Sequence, residues 1–359
     1  MLPLCARPSS GGREKPVRAL LGKKPLHYHG ALTNNHSGGA ILKFVRRIAL
    51  VAAFALSASP LAASAFGFTP GHLYATTVSS INEYDANGAL LSSLASAPGD
   101  PQRGLGFGAD GFLYVLRGAY DRPRVDVLDA SGAAVRSYAL DGSVGGNAAD
   151  GKVEFDASRQ NFYVSTSTGI YRFNIGGGAG SRVIEIGGID VAVLPSGELL
   201  VADGGDSLIR YSSDGLVLSR ISGLQDPSNF TQTNFPSLSQ VRSVAYDSTT
   251  NTTFVSMLGY SGLSNKIFAL AGTSNIIVGM GSYGYASDMF VAGDGRLLVG
   301  SSVTAPGILD MNLNVLGQFD WTSAAGFVTA LPVPEVSTVV MLPVGLLLIA
   351  QVVRRRRCS

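Results

Sequence analysis

Cysteine is nearly missing from this sequence: there are two in 359 residues, Cys5 near the start and Cys358 next to last. A domain between those ends has no thiol, which excludes a thiolate nucleophile, an iron–sulfur cluster, a Cys-ligated zinc and a disulfide framework. Histidine is almost as scarce. His72 is the only one of four that lies beyond residue 65, so Ser–His catalysis would rest on it alone, and there is no Gly-x-Ser-x-Gly elbow to go with it. It opens the run HLYATT and reads as a strand-edge residue. His27, His29 and His36 lie in a segment without apolar periodicity and make no metal tract. No Walker loop and no dinucleotide fingerprint occurs.

Charge is also low, at 14% Asp, Glu, Lys and Arg, and it is unevenly placed. Nine of the 27 basic residues lie in 1–65 and four in 354–357, which leaves 14 in 66–332 against 23 of the 25 acids. The central region is therefore near −9 although the whole chain is +2. A surface of that sign does not neutralise phosphates, so nucleic acid is excluded as a partner. No cofactor is implied.

What the chain has in quantity is glycine, 45 residues, with a hydrophobic content of 46%. That mix fits an all-β protein with many tight turns. Residues 43–65, KFVRRIALVAAFALSASPLAASA, run basic, greasy, small. Lys43, Arg46 and Arg47 form the basic part and Ile48–Leu56 the apolar part. Ala63 and Ala65 supply the small residues a signal peptidase accepts, and cleavage is expected after Ala65. Residues 1–42 are either a long, disordered basic extension or lie upstream of the true start near Ile41 or Leu42.

The chain closes on VPEVSTVVMLPVGLLLIAQVVRRRRCS. Val339–Val353 covers roughly 22 Å at ~1.5 Å per residue, short of a bilayer crossing; counting 336–353 brings it closer. The arginines Arg354, Arg355, Arg356 and Arg357 would hold that end on the cytoplasmic side. Val333, Pro334 and Glu335, then Ser337 and Thr338, a short apolar helix and an Arg cluster resemble the PEP-CTERM sorting signal. Val336 stands where the usual pattern has a second proline. The resemblance covers about 27 residues, 333–359. It implies processing by an exosortase as well as by signal peptidase, passage through the membrane by way of the tail, and a Gram-negative cell surface or extracellular matrix rich in polysaccharide. A plain single-span anchor is the alternative.

Between residues 66 and 332 one pattern recurs, a tight turn followed by a strand: TPGHLYATT, ADGFLYVLR, SRQNFYVST, PSGELLVAD, TTNTTFVSM and GDGRLLVGS. Its turn residues fall at Gly71, Gly111, Gln160, Gly197, Asn251 and Gly295, a spacing near 45 residues. Strand-rich units of that period predict a β-propeller of four-stranded blades. Hairpin turns at Asp85–Gly88, Asp129–Gly132 and Ser212–Gly215 call for positive φ at glycine. The first unit lacks an innermost strand, and Phe327–Leu331 has the pattern to supply it. The expected fold is thus all-β, a six-bladed β-propeller closed by its C-terminal strand, flanked by an N-terminal signal helix and a single C-terminal transmembrane or sorting helix. The unit GIDVAVLPSGELLVADGGDSLIRYSSDG resembles an NHL-type repeat, a likeness of fold that says little about function.

Aligned on the turns, the innermost strands start at Gly104, Lys152, Asp190, Ser243 and Asp288. Lys152, Asp190 and Asp288 are the candidate binding residues at a channel mouth. Lactonase-like propellers hold a divalent metal at such positions, but Asp190 and Asp288 come from non-adjacent blades without a third ligand, and hard cations take six or more oxygens. ADGGDS at 202–207 has no EF-hand spacing. Tyr74, Tyr114, Tyr163 and Phe254 share one repeat position and read as packing between blades. The polar insertion 223–240, with Phe230 and Phe235, is the longest between units and a natural ligand loop. The expectation is an exported surface or matrix module, binding a polysaccharide or protein or purely structural, that is not an enzyme. The alternative is a secreted metal-dependent lactonase or hydrolase.

Overall fold

The computed structural model describes residues 67–332, apart from 78, 97–100, 119–122, 141–150, 186, 188–189, 226–239, 258–264, 302 and 321–324. The expected signal segment with Ala63 and Ala65, the tail from Val333 to Arg357 and the two helices expected to flank the domain fall outside these residues. Among the described residues no helix is long and apolar enough to cross a membrane.

The chain is a six-bladed β-propeller, six antiparallel sheets of four strands each. Blade 1 holds β1 (Leu73–Thr77), β2 (Ser80–Tyr84) and β3 (Leu90–Ala95). Its inner strand comes from the far end of the chain and is described below. Blade 2 holds β4 (Gln102–Phe107), β5 (Leu113–Arg117), β6 (Arg124–Leu128) and β7 (Ala134–Ala139). Blade 3 holds β8 (Val153–Phe155), β9 (Asn161–Thr166), β10 (Gly169–Asn174) and β11 (Ser181–Ile184). Blade 4 holds β12 (Asp190–Val193), β13 (Leu199–Ala202), β14 (Leu208–Tyr211) and β15 (Val217–Ile221). Blade 5 holds β16 (Val241–Asp247), β17 (Thr252–Met257), β18 (Lys266–Ala271) and β19 (Ile277–Ser282). Blade 6 holds β20 (Asp288–Val291), β21 (Arg296–Gly300), β22 (Gly307–Asp310) and β23 (Val315–Gln318).

The ring closes as the sequence pattern requires. β24 (Ala325–Ala330) pairs antiparallel with β1, Ala75 opposite Val328 and Leu73 opposite Ala330. It completes blade 1 and leaves no inner edge open. Backbone pairing continues past the strand, with Gly71 N–H donating to the Leu331 carbonyl at 3.2 Å.

Each blade hides one face against the next, and the core is correspondingly divided. Six apolar clusters occupy the six seams between neighbouring blades. Tyr74, Tyr114, Tyr163 and Phe254 are buried in four of them. In the seam between blades 2 and 3, Tyr114, Tyr138, Phe155, Phe162 and Phe173 meet edge-on or stacked, with centroids 5.0–6.2 Å apart. Fully burying one such side chain contributes about 1.5–3 kcal/mol.

Turn chemistry sets the hairpins. Gly88, Gly132 and Gly215 all have φ between 81 and 91°. Asp85, Asp129 and Asp310 each turn Oδ1 back onto two backbone N–H groups of their own loops. Three of the blade hairpin turns differ from the glycine rule; in blade 5 the residue is Asn251 (φ 52°), at the position the repeat predicts. In blade 3 the positive-φ residue is Arg159 (φ 54°), one position before Gln160. Its side chain donates to the Phe107 carbonyl of blade 2, an interaction available only once the blades are side by side. In blade 6 it is Leu313 (φ 67°), a strained choice held in place by burial in the seam between blades 5 and 6.

The closing strand buries Phe327 and Val328 and sits in two seams. Deleting residues 326–331 from the full chain is expected to lower the melting temperature by roughly 10 °C or more, at ~2–4 °C per kcal/mol for a domain of this size. Thermal unfolding followed by circular dichroism checks this; an unchanged melt would show that the ring does not depend on β24.

Candidate functional site

The three residues singled out at the inner-strand starts do meet. Lys152 immediately precedes β8, Asp190 opens β12 and Asp288 opens β20, so all three face the central channel. They are 3%, 1% and 1% exposed, enclosed within the channel. The Lys152 ammonium lies 3.3 Å from Asp190 Oδ1, 3.6 Å from Asp288 Oδ1 and 3.5 Å from Glu154 Oε2. It also donates to the Met289 and Val244 carbonyls at 2.8 and 3.3 Å.

The carboxylates in turn hold backbone. Asp190 Oδ2 accepts from Ser243 Oγ at 2.5 Å and from Val244 N–H at 2.9 Å, and its Oδ1 from Val191 N–H at 2.7 Å. Asp288 Oδ2 accepts from Val328 N–H of the closing strand at 2.8 Å. Blade 2 joins through Gly104, whose N–H donates to the Gly151 carbonyl at 3.0 Å. A side chain there would strike the Lys152 backbone, so only glycine lets the two strands approach. All six inner strands are thereby linked around one ammonium.

Burial sets the protonation of this cluster. It works to lower the Lys152 pKa, but Asp190, Glu154 and Asp288 outweigh it and the net shift is upward, so the ammonium stays charged. Burial raises the carboxyls of Asp190 and Glu154, with Lys152 opposing. Asp288 is pushed up to about 7, first by burial; Lys152 opposes this, and Asp190 and Glu154 add to it.

The residues do not fit a divalent metal. Both Asp190 oxygens and Asp288 Oδ2 take N–H or O–H donors, and the Lys152 ammonium lies between the two carboxylates. Among the described residues no group of three His, Cys, Asp or Glu is arranged to hold a metal ion. ADGGDS is likewise occupied, since Asp203 Oδ1 caps the N–H groups of Gly205 and Ser207. His72 pairs with Glu83, Nδ1 to Oε1 2.8 Å, and Glu83 Oε2 takes the Ser92 hydroxyl, so both Ser92 and His72 meet the carboxylate and not each other.

Glu154 is the residue sequence reasoning missed. Two residues after Lys152 on a strand, it faces the same side; that spacing was the available signal. It connects the buried cluster to a cavity of about 520 Å³. The cavity lies at the ends of the innermost strands, the opposite mouth from their starts. Phe107, Phe155, Val193, Tyr246, Val291 and Ala330, one from each inner strand, line it. Arg159 and Asp294 stand on the adjoining turns and Arg296 opens β21. The insertion 223–240 is described only at its base, where Gln225 bridges to Ile276 of blade 5; Phe230 and Phe235 lie outside the described residues.

Fold and site define a closed propeller whose channel holds a buried ion cluster, with a cavity at the ends of the inner strands. No protein-family model matches the chain, and no curated protein matches its sequence. Among solved structures, a protein of unknown function from Bacteroides caccae is similar over 72% of this chain and 82% of its own, at 11% identity and a TM-score of 0.40. A streptogramin B lyase structure is similar over 62% of this chain and 69% of its own, at 13% identity and a TM-score of 0.42. Likenesses this distant have no bearing on activity, and the propeller stands on its own six sheets.

Removing one partner of a buried ion cluster costs about 3–5 kcal/mol, because the remaining charges lose their compensation. Lys152→Met in the full chain is expected to destabilise by that order, read as a lowered denaturation midpoint. A midpoint within error of wild type would mean the cluster contributes nothing. The raised Asp288 carboxyl has a separate consequence. Its stabilising contribution is complete below its ordinary value of 3.8 and is lost as pH rises through about 7. The melting temperature of Asp288→Asn should therefore fall less between pH 5 and pH 8 than that of wild type, measured in matched buffers.

Proposed function

We propose that this protein is an exported binding module of the cell surface or extracellular matrix, sorted by an exosortase through its VPEVST–Arg tail, that seats a glycan in the channel mouth beside Glu154. It is not an enzyme on this reading. The observation that carries it is the mouth itself: a cavity of about 520 Å³ built on six rigid strand ends. That volume falls in the usual range for small-ligand sites, about 300–1,000 Å³. Its lining alternates Phe155, Tyr246 and Phe290 with Glu154, Arg159, Asp294 and Arg296. Apolar faces interleaved with fixed donors and acceptors suit a ring carrying many hydroxyls.

Charge supports the choice of ligand. The lining holds three acids, Glu154, Asp156 and Asp294, against Arg159 and Arg296, so polyanions gain little there. Against hydrolysis stands the chemistry of the cluster, in which Lys152 has the place a catalytic metal would need. Export is supported by the order basic, apolar, small over 43–65 and by the likeness of 333–359 to the sorting signal.

One preparation tests both halves. Protein recovered from the host envelope should have an intact mass lacking residues 1–65 and Cys358. On a glycan array it should retain ligand that Ser248→Trp, a bulky change at an exposed position of the mouth, no longer captures while melting unchanged. Capture that survives Ser248→Trp would move the ligand elsewhere, and an unprocessed mass would overturn the sorting.

A further inference from the structure

One side of the cavity is walled by the end of the propeller chain itself. Ala330, Leu331 and Pro332 belong to the lining. Leu331 is tied down by its backbone, its N–H donating to the His72 carbonyl at 3.4 Å and its carbonyl accepting from Gly71 N–H at 3.2 Å. Whatever follows Pro332 therefore leaves the domain from the rim of the mouth. The apolar run of the tail starts four residues on, at Val336.

The same end of the propeller carries the exposed apolar surface. The ends of the innermost strands and the starts of the outermost lie together in every blade, because its four antiparallel strands alternate in direction. There the outermost strands begin with Leu90 and Leu91 in blade 1, Leu216 and Val217 in blade 4, and Val315 and Leu316 in blade 6, all 40–70% exposed. Of the large apolar side chains exposed among the described residues, Val303 alone lies at the other end, in the turn between β21 and β22. Single exposed aliphatics are ordinary; their confinement to one end of a molecule marks an interaction surface. The turns beside them carry Asp85, Asp129 and Asp310, so this end suits zwitterionic rather than anionic lipid.

Chain length fixes how near lipid comes. Residues 339–353 are too few to cross a bilayer, so a crossing has to begin at Val336. Four residues reach at most ~14 Å, and the headgroup layer takes up about 5–8 Å of that. The gap left between Pro332 and lipid is narrower than the ~10–12 Å diameter of an α-helix. A polymer has no path through it to the mouth.

We propose that, while the tail spans a bilayer, the mouth lies face down on zwitterionic lipid with its apolar perimeter against the headgroups, and that it opens to a polysaccharide only once the chain is severed beyond Pro332. The inference rests on reading the tail as a membrane segment and the mouth as the glycan seat, and adds when that seat is free. Binding is thereby withheld at the membrane and gained on release.

The test reads access to the mouth and needs no glycan. In the full chain Cys5 and Cys358 are replaced by serine, and one cysteine is introduced by Ser248→Cys in the mouth or by Ser79→Cys, exposed in the β1–β2 turn at the opposite end. Each variant is reconstituted into phosphatidylcholine vesicles and treated with N-ethylmaleimide or with a polyethylene-glycol maleimide of protein size. The small reagent should label both variants and the polymer Ser79→Cys only. A Gly/Ser spacer of about 30 residues inserted after Pro332, with a mean span of ~30 Å, should restore polymer labelling of Ser248→Cys while the chain stays on the vesicles. Equal polymer labelling of the two variants without the spacer, with the chain retained on flotation, would overturn the inference and leave the membrane tail standing. A mouth that remains closed with the spacer in place would overturn the short tether as its cause. A chain that does not float with the vesicles would overturn the tail reading on which the inference rests; the glycan seat is judged separately, by capture lost in Ser248→Trp.

Discussion

The Lys152 ammonium is the point on which the ring depends. Each blade is a complete sheet joined to the next by an apolar seam, and at the axis the inner strands meet through this cluster. Here one cation draws Asp190, Asp288 and Glu154 inward, and the two aspartates pass the attraction on to backbone N–H groups of blades 5 and 1. The last strand to arrive, β24, is held on one side by β1 and on the other by Asp288. Closure and electrostatics are thus one event. The three carboxylates pay for it with raised proton affinity.

That arrangement also divides the molecule's functions. The apolar seams and the Asp-capped turns carry the fold and do so repetitively, blade after blade. The channel breaks the repetition: Gly104, Lys152, Ser243 and the two aspartates Asp190 and Asp288 occupy equivalent positions with unlike chemistry. A repeat can be uniform where it packs on copies of itself, but at the axis the blades meet each other, and only unlike charges can converge there. The same asymmetry makes the two ends of the channel unequal. Glu154, on the cluster and in the lining alike, leads toward the cavity at the inner-strand ends.

Much of this was legible in the chain. The 45-residue period, the glycine turns at 71, 111, 197 and 295, and the orphan strand near 327 specify six blades and their closure, because φ preference and strand alternation are local properties. Lys152, Asp190 and Asp288 were locatable by alignment of the repeats. Their number could be read, but not their partnership, since residues 38 and 98 positions apart acquire a distance only when the blades are arranged in a ring. Arg159 shows the same limit. Nothing local favours an arginine at positive φ; what stabilises it is a carbonyl on the neighbouring blade.

The sequence by itself therefore determined the architecture, the number of blades, the strand that completes the first, and a central domain without thiols and with net negative charge. Those follow from periodicity, turn chemistry and composition, each readable within a few residues. Tertiary structure alone decided that the like-charged side chains of blades 3, 4 and 6 would surround a single ammonium, that Glu154 would stand between the cluster and the cavity lining, and that the cavity would lie at the ends of the inner strands. Electrostatic interaction falls with distance and rises with burial, and both quantities exist only after the ring has closed.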